Sequence, residues 1–215
     1  MRPLPLFLAV FLGTTLLRAA EPVTLTLEDF TDDKGAKPAA GWAVESDGSI
    51  HRVAKAGNII SKKEYSSFEV EWDWKLAEGG NSGIKYWVNK FEKGGWLGIE
   101  YQMIDDSRHA DANKGGGTHS TASFYDIKAP AADKAVKPAG EWNHSKVIVA
   151  KDGKIQHWLN GKLATEIDSK SEEWTAGIGK SKFKAVTGFA PGKGKLMLTD
   201  HGDEVWWKNI KVTEL

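Results

Sequence analysis

The 215-residue chain contains no cysteine. No disulfide can staple it and no N-terminal cysteine can carry a lipid, so its core must supply the stability of the fold. It also lacks charge of one sign. Lys and Arg number 29, against 29 Asp and Glu; setting aside Arg2 and Arg18, which precede the main body, leaves 27 against 29. A balance of −2 gives no basic footprint for a nucleic-acid partner. Several catalytic signatures are missing as well: no Gly-rich phosphate loop, no Gly-x-Ser-x-Gly elbow, no His-Glu-x-x-His helix and no cysteine nucleophile.

Long apolar runs are confined to residues 4–17, behind Arg2 and ahead of Ala19-Ala20. A basic start, a short apolar stretch and small residues describe an export signal. The run is short for a bilayer span. Arg18 is an imperfect feature, because it falls three residues before a cut after Ala20. Residues 1–20 are therefore expected to be removed, giving a secreted or periplasmic protein with no lasting membrane association. The remaining 21–215 suffice for one sizeable core and are too few for two ordinary domains. With 40% hydrophobic residues and mixed charge, this part reads as globular.

Alternation dominates the rest of the chain. In Phe68-Glu69-Val70-Glu71-Trp72-Asp73-Trp74-Lys75-Leu76 every second residue is apolar and the four between are charged, which predicts a strand buried on one face only. Similar runs occupy 83–88, 98–104, 146–150, 155–159, 163–167, 196–199 and 207–212. Asp152-Gly153 and Asn160-Gly161 suit tight hairpins, so 146–167 reads as a three-stranded meander. Many short strands with frequent turns predict an all-β fold, an antiparallel two-sheet β-sandwich or jelly roll. Residues 105–140 form a long Gly- and Ala-rich interruption, the kind of segment that is usually functional or mobile.

Four constellations could carry chemistry. In Asn81-Ser82-Gly83-Ile84-Lys85-Tyr86-Trp87-Val88, alternation puts Gly83, Lys85 and Trp87 on one face, and Gly83 would let a ligand approach the backbone. In 98–104, Glu100 and Gln102 share a face, a carboxylate beside an amide suited to gripping hydroxyls or moving a proton. Asp105, Asp106, His109 and Asp111 leave a divalent ion open as a bound group, although their spacing fits no standard zinc or calcium motif. In Asp200-His201-Gly202-Asp203-Glu204, a histidine lies between acids that can orient it. Each segment has a plain alternative as a turn or a solvated strand face. The ten Trp residues invite sugar stacking, yet most will fill the core; Trp87, Trp142 and Trp206 or Trp207 are the stacking candidates.

Together, Asn81-Ser82-Gly83-Ile84, Glu100-Tyr101-Gln102 with its following acids, Phe124-Tyr125-Asp126, Lys137-Pro138-Ala139-Gly140-Glu141-Trp142-Asn143, His157-Trp158-Leu159-Asn160-Gly161 and Asp200-His201-Gly202 resemble successive landmarks of the 3-keto-disaccharide hydrolase domain family. The match spans about residues 25–215. One departure is Gly98-Ile99-Glu100, where many relatives carry a Gly-Pro-Glu-like lead into the strand. The resemblance implies a concanavalin-like jelly roll and action on an oxidised, 3-keto disaccharide or glucoside. A C3 ketone acidifies the C2 hydrogen, so a base can remove it, the C1 group can leave and water can add back. On that reading Glu100 and His201 form the proton-transfer pair and Asp200 orients His201. Asn81, Lys85 and Gln102 hold hydroxyls or the carbonyl. His109, Tyr125 and His157 are leaving-group or enolate contacts, and Trp142 is a stacking surface. No resident cofactor is implied.

Two other readings compete. A retaining glucanase of the same fold needs two carboxylates about 5–5.5 Å apart; Glu100, Gln102 and Asp105 occupy the Glu-x-Asp-x-x-Glu spacing of laminarinase-like enzymes, with an amide in the middle. A lectin-like carbohydrate-binding module needs no base at all.

Overall fold

The computed structural model describes residues 20–92 and 94–215; the segment read as an export signal lies outside the described residues apart from Ala20. Thirteen strands run through these residues: β1 (Val23–Thr24), β2 (Phe30–Thr31), β3 (Trp42–Val44), β4 (Ile50–Arg52), β5 (Ile59–Tyr65), β6 (Phe68–Leu76), β7 (Asn81–Phe91), β8 (Gly95–Ile104), β9 (Asn143–Val149), β10 (Lys154–Leu159), β11 (Lys162–Asp168), β12 (Gly194–Leu198) and β13 (Val205–Glu214). They form two antiparallel sheets. The larger has the order β11-β10-β9-β6-β13-β4-β3, with β1 also on β13; the smaller has the order β2-β5-β12-β7-β8. The expected all-β sandwich is what forms. Among the described residues, no helix is long and apolar enough to cross a membrane.

Strand β6 alternates as its sequence demands, with Phe68, Val70, Trp72, Trp74 and Leu76 buried and the charged residues between them partly exposed. Its inner residues meet the smaller sheet: the Trp72 ring packs edge-on to Tyr101 at 5.0 Å. Full burial of such rings is the main stabilising term, and truncating one costs about 3–5 kcal/mol. The meander β9–β10–β11 also forms, and Asn160 (φ 49°) and Gly161 (φ 80°) close its second hairpin in the left-handed region that Asn and Gly tolerate.

Strand β7 departs from simple alternation. Trp87 has φ 50°, and the pairing with β8 shifts between Tyr86 and Asn89. This bulge inserts one residue and reverses every face beyond it. Trp87 therefore turns into the core and donates its Nε1–H to Ser66 O, while Val88 moves to the outer face with Ile60 and Met197. Trp87 is thus no stacking surface. Trp207 is fully buried. Trp142 and Trp206 lie together on the outer face of the larger sheet, bridged by Lys75 at 5.3 and 4.2 Å from their rings.

His157 is also in the core, not in a cleft. It is fully buried on the inner face of β10. Its Nδ1 faces Ala122 O at 3.0 Å, and a carbonyl only accepts, so Nδ1 carries the hydrogen. Its Nε2 then accepts from Tyr86 OH at 2.9 Å. The Phe124 ring stacks on the imidazole at 3.9 Å. Burial depresses its pKa to about 3, so this histidine is a neutral structural link.

Two additions frame the site. Residues 121–126 run along the free edge of β8: Ala122 N–H donates to Gln102 O, and Tyr125 N–H donates to Glu100 O. This part of the 105–140 segment is therefore an edge cover for β8, while its end runs back to the larger sheet, where Gly140 N–H donates to Leu76 O. A short helix, α1 (Glu172–Lys180), follows β11; Ser171 caps it by accepting from Trp174 N–H, and acids occupy its first turn. It delivers residues 181–183 to the same side of the smaller sheet.

Candidate active site

The outer face of the smaller sheet carries Lys85 opposite Glu100 and Gly83 opposite Gln102 on the paired strands β7 and β8. Directly paired residues share a face, so these side chains must meet. Glu100 leans over Gly83: a Cβ at that glycine would fall 2.7 Å from Glu100 Oε1 and 2.9 Å from Tyr101 O. Glycine is therefore the residue that gives the carboxylate room. Beside it, Thr199 N–H and Oγ1–H both donate to Gly83 O, fixing the end of β12 against β7.

Glu100 is only 2% exposed yet surrounded by positive groups. Lys85 Nζ lies 3.4 Å from its Oε2 and His201 Nε2 lies 3.4 Å from its Oε1. Burial alone would raise its pKa. The charge of Lys85, the His201 hydrogen bond and the charge of Lys182 outweigh that and hold it at about 2, against an ordinary 4.5. Glu100 is accordingly a carboxylate at neutral pH. Since a carboxylate only accepts, His201 directs an Nε2–H at it, and Nδ1 is the nitrogen left to take a proton. The His201 side chain is 38% exposed, so the pair spans from the sheet to solvent.

His201 sits in the turn between β12 and β13. Asp200 does not touch its ring. The Asp200 carboxylate accepts from the backbone N–H of Ala56, Gly57 and Gly202, and faces Arg52 Nε at 2.8 Å. Arg52 also donates to Gly202 O. Asp200 thus anchors the turn that carries His201, in place of the expected contact with its imidazole.

Asn81 and Gln102 share the face of Glu100. Each leaves a buried side-chain oxygen, Asn81 Oδ1 and Gln102 Oε1, without a donor among the described residues. A buried acceptor in that state is costly, and a hydroxyl donor would satisfy it. Tyr125 is joined to Glu100 through its backbone, but its OH donates to Asp111 Oδ2 at 3.0 Å. Burial first, then Asp111, raise its pKa, so its phenol stays protonated and serves as a wall. His109 accepts from Asp111 N–H and makes no hydrogen bond or ion pair with Glu100 or His201 among the described residues. Trp142, on the other sheet, and His157, in the core, are not brought to the site.

The acids of 105–111 do not converge. Asp105 accepts from Gly79 N–H and from Ser107. Asp106 accepts from Thr121 N–H and pairs with Lys134. Asp111 meets His119 and Tyr125. Among the described residues no group of three or more His, Cys, Asp or Glu side chains could hold a metal ion. Asp105 being committed to the turn at Gly79, the groups that flank Glu100 are cations and an imidazole. Among the described residues Asp105, the later acid of the glucanase spacing, makes no hydrogen bond or ion pair with Glu100, Lys85 or His201.

Three contributors were not singled out from the sequence. His119 lies between Asp111 (3.0 Å) and Asp126 (3.2 Å) and stacks on Tyr125, pinning the edge cover. Lys182 follows α1, and its N–H donates to Asp126 Oδ2 at 2.7 Å. Trp96 packs on Ile60, Val88 and Met197, giving the outer face an apolar floor beside Lys85, which pairs with Met197. A lone histidine in a Gly-rich loop and a lysine in a Lys-rich run offer no local signal; Trp96 at the start of a strand did.

The sandwich itself defines the broad class. A Bacillus subtilis protein of unknown function with a galectin-like fold superposes with a TM-score of 0.53 at 12% identity, over 87% of this chain and 90% of that one, which is a likeness of fold alone. The particular family follows from the sequence: the chain belongs to the 3-keto-alpha-glucoside-1,2-lyase-like domain family, whose profile matches residues 25–213. It is 33% identical to a 3-keto-disaccharide hydrolase of Bacteroides thetaiotaomicron, over 81% of this chain and 70% of that protein. It is also 33% identical to a candidate glycosyl hydrolase of Parabacteroides distasonis of known crystal structure, with a TM-score of 0.77 over 88% and 90% of the two chains. The protein is an enzyme of the hydrolase type.

Proposed function

We propose that this enzyme cleaves 3-keto glycosides, disaccharides or glucosides oxidised at C3, by removing the C2 proton and expelling the C1 group. The observation that carries the reading is the buried Glu100 carboxylate held between Lys85 and the partly exposed His201 on the outer face of the smaller sheet. A glycosidase that protonates and displaces directly needs a second carboxylate beside the first. A site for enolisation needs a base, cations for the charge that develops and acceptors for the remaining hydroxyls. Lys85, Lys182, His201 and the buried oxygens of Asn81 and Gln102 support the latter.

Glu100, with a pKa of about 2, is a weak base already engaged by Lys85 and His201, whereas the Nδ1 of His201 keeps a lone pair for a proton. His201 Nδ1 takes the C2 proton, and Glu100 holds the ring through Nε2 and stabilises the imidazolium that results. Asn81 Oδ1 and Gln102 Oε1 accept from sugar hydroxyls. The partly exposed Trp96, packed on the buried Val88 and Met197, supports a C–H face of the second ring. Water then adds across the C1–C2 double bond to complete net hydrolysis. Residues 1–20 direct the enzyme to the periplasm or the exterior, where it meets the sugar.

The test is incubation with 3-keto-trehalose or a 3-keto-glucoside, beside the unoxidised parent, with product analysis. Release of the leaving sugar or aglycone from the keto compound alone is expected. Cleavage of the parent at a comparable rate, or sugar binding with no turnover of any keto compound, would overturn the reading.

A further inference from the structure

The positive groups around Glu100 differ in their commitments. Lys85 is paired with Oε2 and His201 with Oε1. Lys182 is paired with neither: among the described residues its Nζ makes no hydrogen bond and no ion pair. Aromatic rings hold it instead, with Nζ 4.3 Å from the centre of Tyr125 and 5.2 Å from that of Phe183. Its backbone is fixed by the bond to Asp126, and its neighbours Ser181 and Phe183 are buried. Tyr125 is fixed in turn, its OH on Asp111 and its N–H on Glu100 O. A rigid chain of contacts therefore presents an ammonium with no direct ion-pair partner on the side of the carboxylate, near enough that its charge helps keep Glu100 ionised, while Asp126 and Asp111 attract it from further off.

Resting on the reading of the function above, we propose that Lys182 holds the C3 oxygen of the substrate and makes the site select the ketone over the parent alcohol. When the C2–H bond breaks, the proton goes to His201 Nδ1 and its electron pair forms the C2–C3 double bond. The carbonyl π pair moves onto O3, and Lys182 donates a hydrogen bond to that oxyanion. As the pair returns to re-form C=O, the C2–C3 pair shifts to C1–C2. The C1–O bond breaks in the same movement, and the leaving oxygen keeps its electrons and takes the proton from His201. Water adds OH to C1 and H to C2. The ketone arrives in the substrate, so no oxidant is consumed. A lysine locked in a direct ion pair would respond weakly to the new charge; one seated on aromatic faces keeps its N–H groups free to turn toward it. In the ground state a ketone O3 offers the ammonium only an acceptor, whereas a C3 alcohol brings a donor hydrogen that it cannot accept, so binding already favours the keto sugar; the oxyanion then strengthens the bond in the transition state.

The experiment compares wild type with Lys182→Met, Lys182→Arg and the neighbouring control Lys184→Met, checking each fold by circular dichroism. Turnover of 3-keto-trehalose is measured alongside calorimetric binding of the keto sugar and of trehalose. Lys182→Met is expected to lower kcat by about 10²–10³-fold, with a smaller change in KM. It should also erase the preference for keto over parent sugar in binding, while Lys182→Arg keeps part of both and Lys184→Met matches wild type. A folded Lys182→Met enzyme with wild-type kcat and an intact keto preference would overturn the assignment. If wild type turns over no keto sugar, the reading of the function fails; a keto preference in wild-type binding that Lys182→Met abolishes would still uphold the role of Lys182, and its survival in that variant would overturn it.

Discussion

Arg52 and Asp200 meet as a buried ion pair, Nε to Oδ1 at 2.8 Å, with side chains 8% and 4% exposed. The pair ties the turn carrying His201 to β4, and the second Asp200 oxygen ties it to the backbone at Ala56 and Gly57. Asp200 therefore positions His201 through the main chain.

Removing one partner of such a pair leaves the other charge buried and unpaired, at a cost of about 3–5 kcal/mol. Asp200→Asn is expected to lose stability on that scale in urea denaturation, and to lose activity because His201 drifts. Pairing it with Arg52→Met should cost less than the sum of the two single changes, since the orphaned charge is gone. An Asp200→Asn protein as stable as wild type but inactive would instead show a direct part in the chemistry.

His157 makes the fold acid-sensitive. Its folded pKa of about 3 lies below its ordinary 6.5, so the unfolded chain binds the proton more readily. The stabilisation is complete above pH 6.5 and is lost as the pH falls toward 3, at up to about 1.4 kcal/mol per pH unit. Glu100 acts the same way in a lower window, from about 4.5 down to 2. His157→Gln is expected to be destabilised at pH 7 by about 1–3 kcal/mol through its broken hydrogen bonds. It should show a flatter decline than wild type between pH 6.5 and 4.5, with turnover of the folded enzyme within a few-fold. An inactive but fully stable His157→Gln would restore this residue to the site.

Much of the architecture is legible in the sequence because it is local. The alternation of Phe68–Leu76 and the Asn160-Gly161 hairpin depend on neighbours two residues apart, and both appear as read. The two-strand pairing that joins Lys85 to Glu100 was half legible: each residue's strand was evident, but not their register. What failed was set by distant contacts. The left-handed Trp87 reverses the outer half of β7, and no period-two count can foresee it. A Cβ on Gly194 would lie 2.5 Å from the Trp87 carbonyl carbon, so the bulge depends on a glycine more than a hundred residues away. The inward phase of His157 likewise depends on which face of β10 meets Phe124, a residue of the edge cover. Lys182 enters through a helix that alternation gave no reason to expect, although Ser171 followed by two acids is an N-cap signal that could have disclosed it.

In the proposed mechanism the Glu100–His201 pair removes the C2 proton. NMR in D2O can follow C2 deuteration and leaving-group release from a 3-keto-glucoside with wild type, Glu100→Gln and His201→Ala. Both variants are expected to fold and to lose about 10²–10⁴-fold in C2–H cleavage and product release together. Wild-type rates of both processes in either variant would contradict that mechanism.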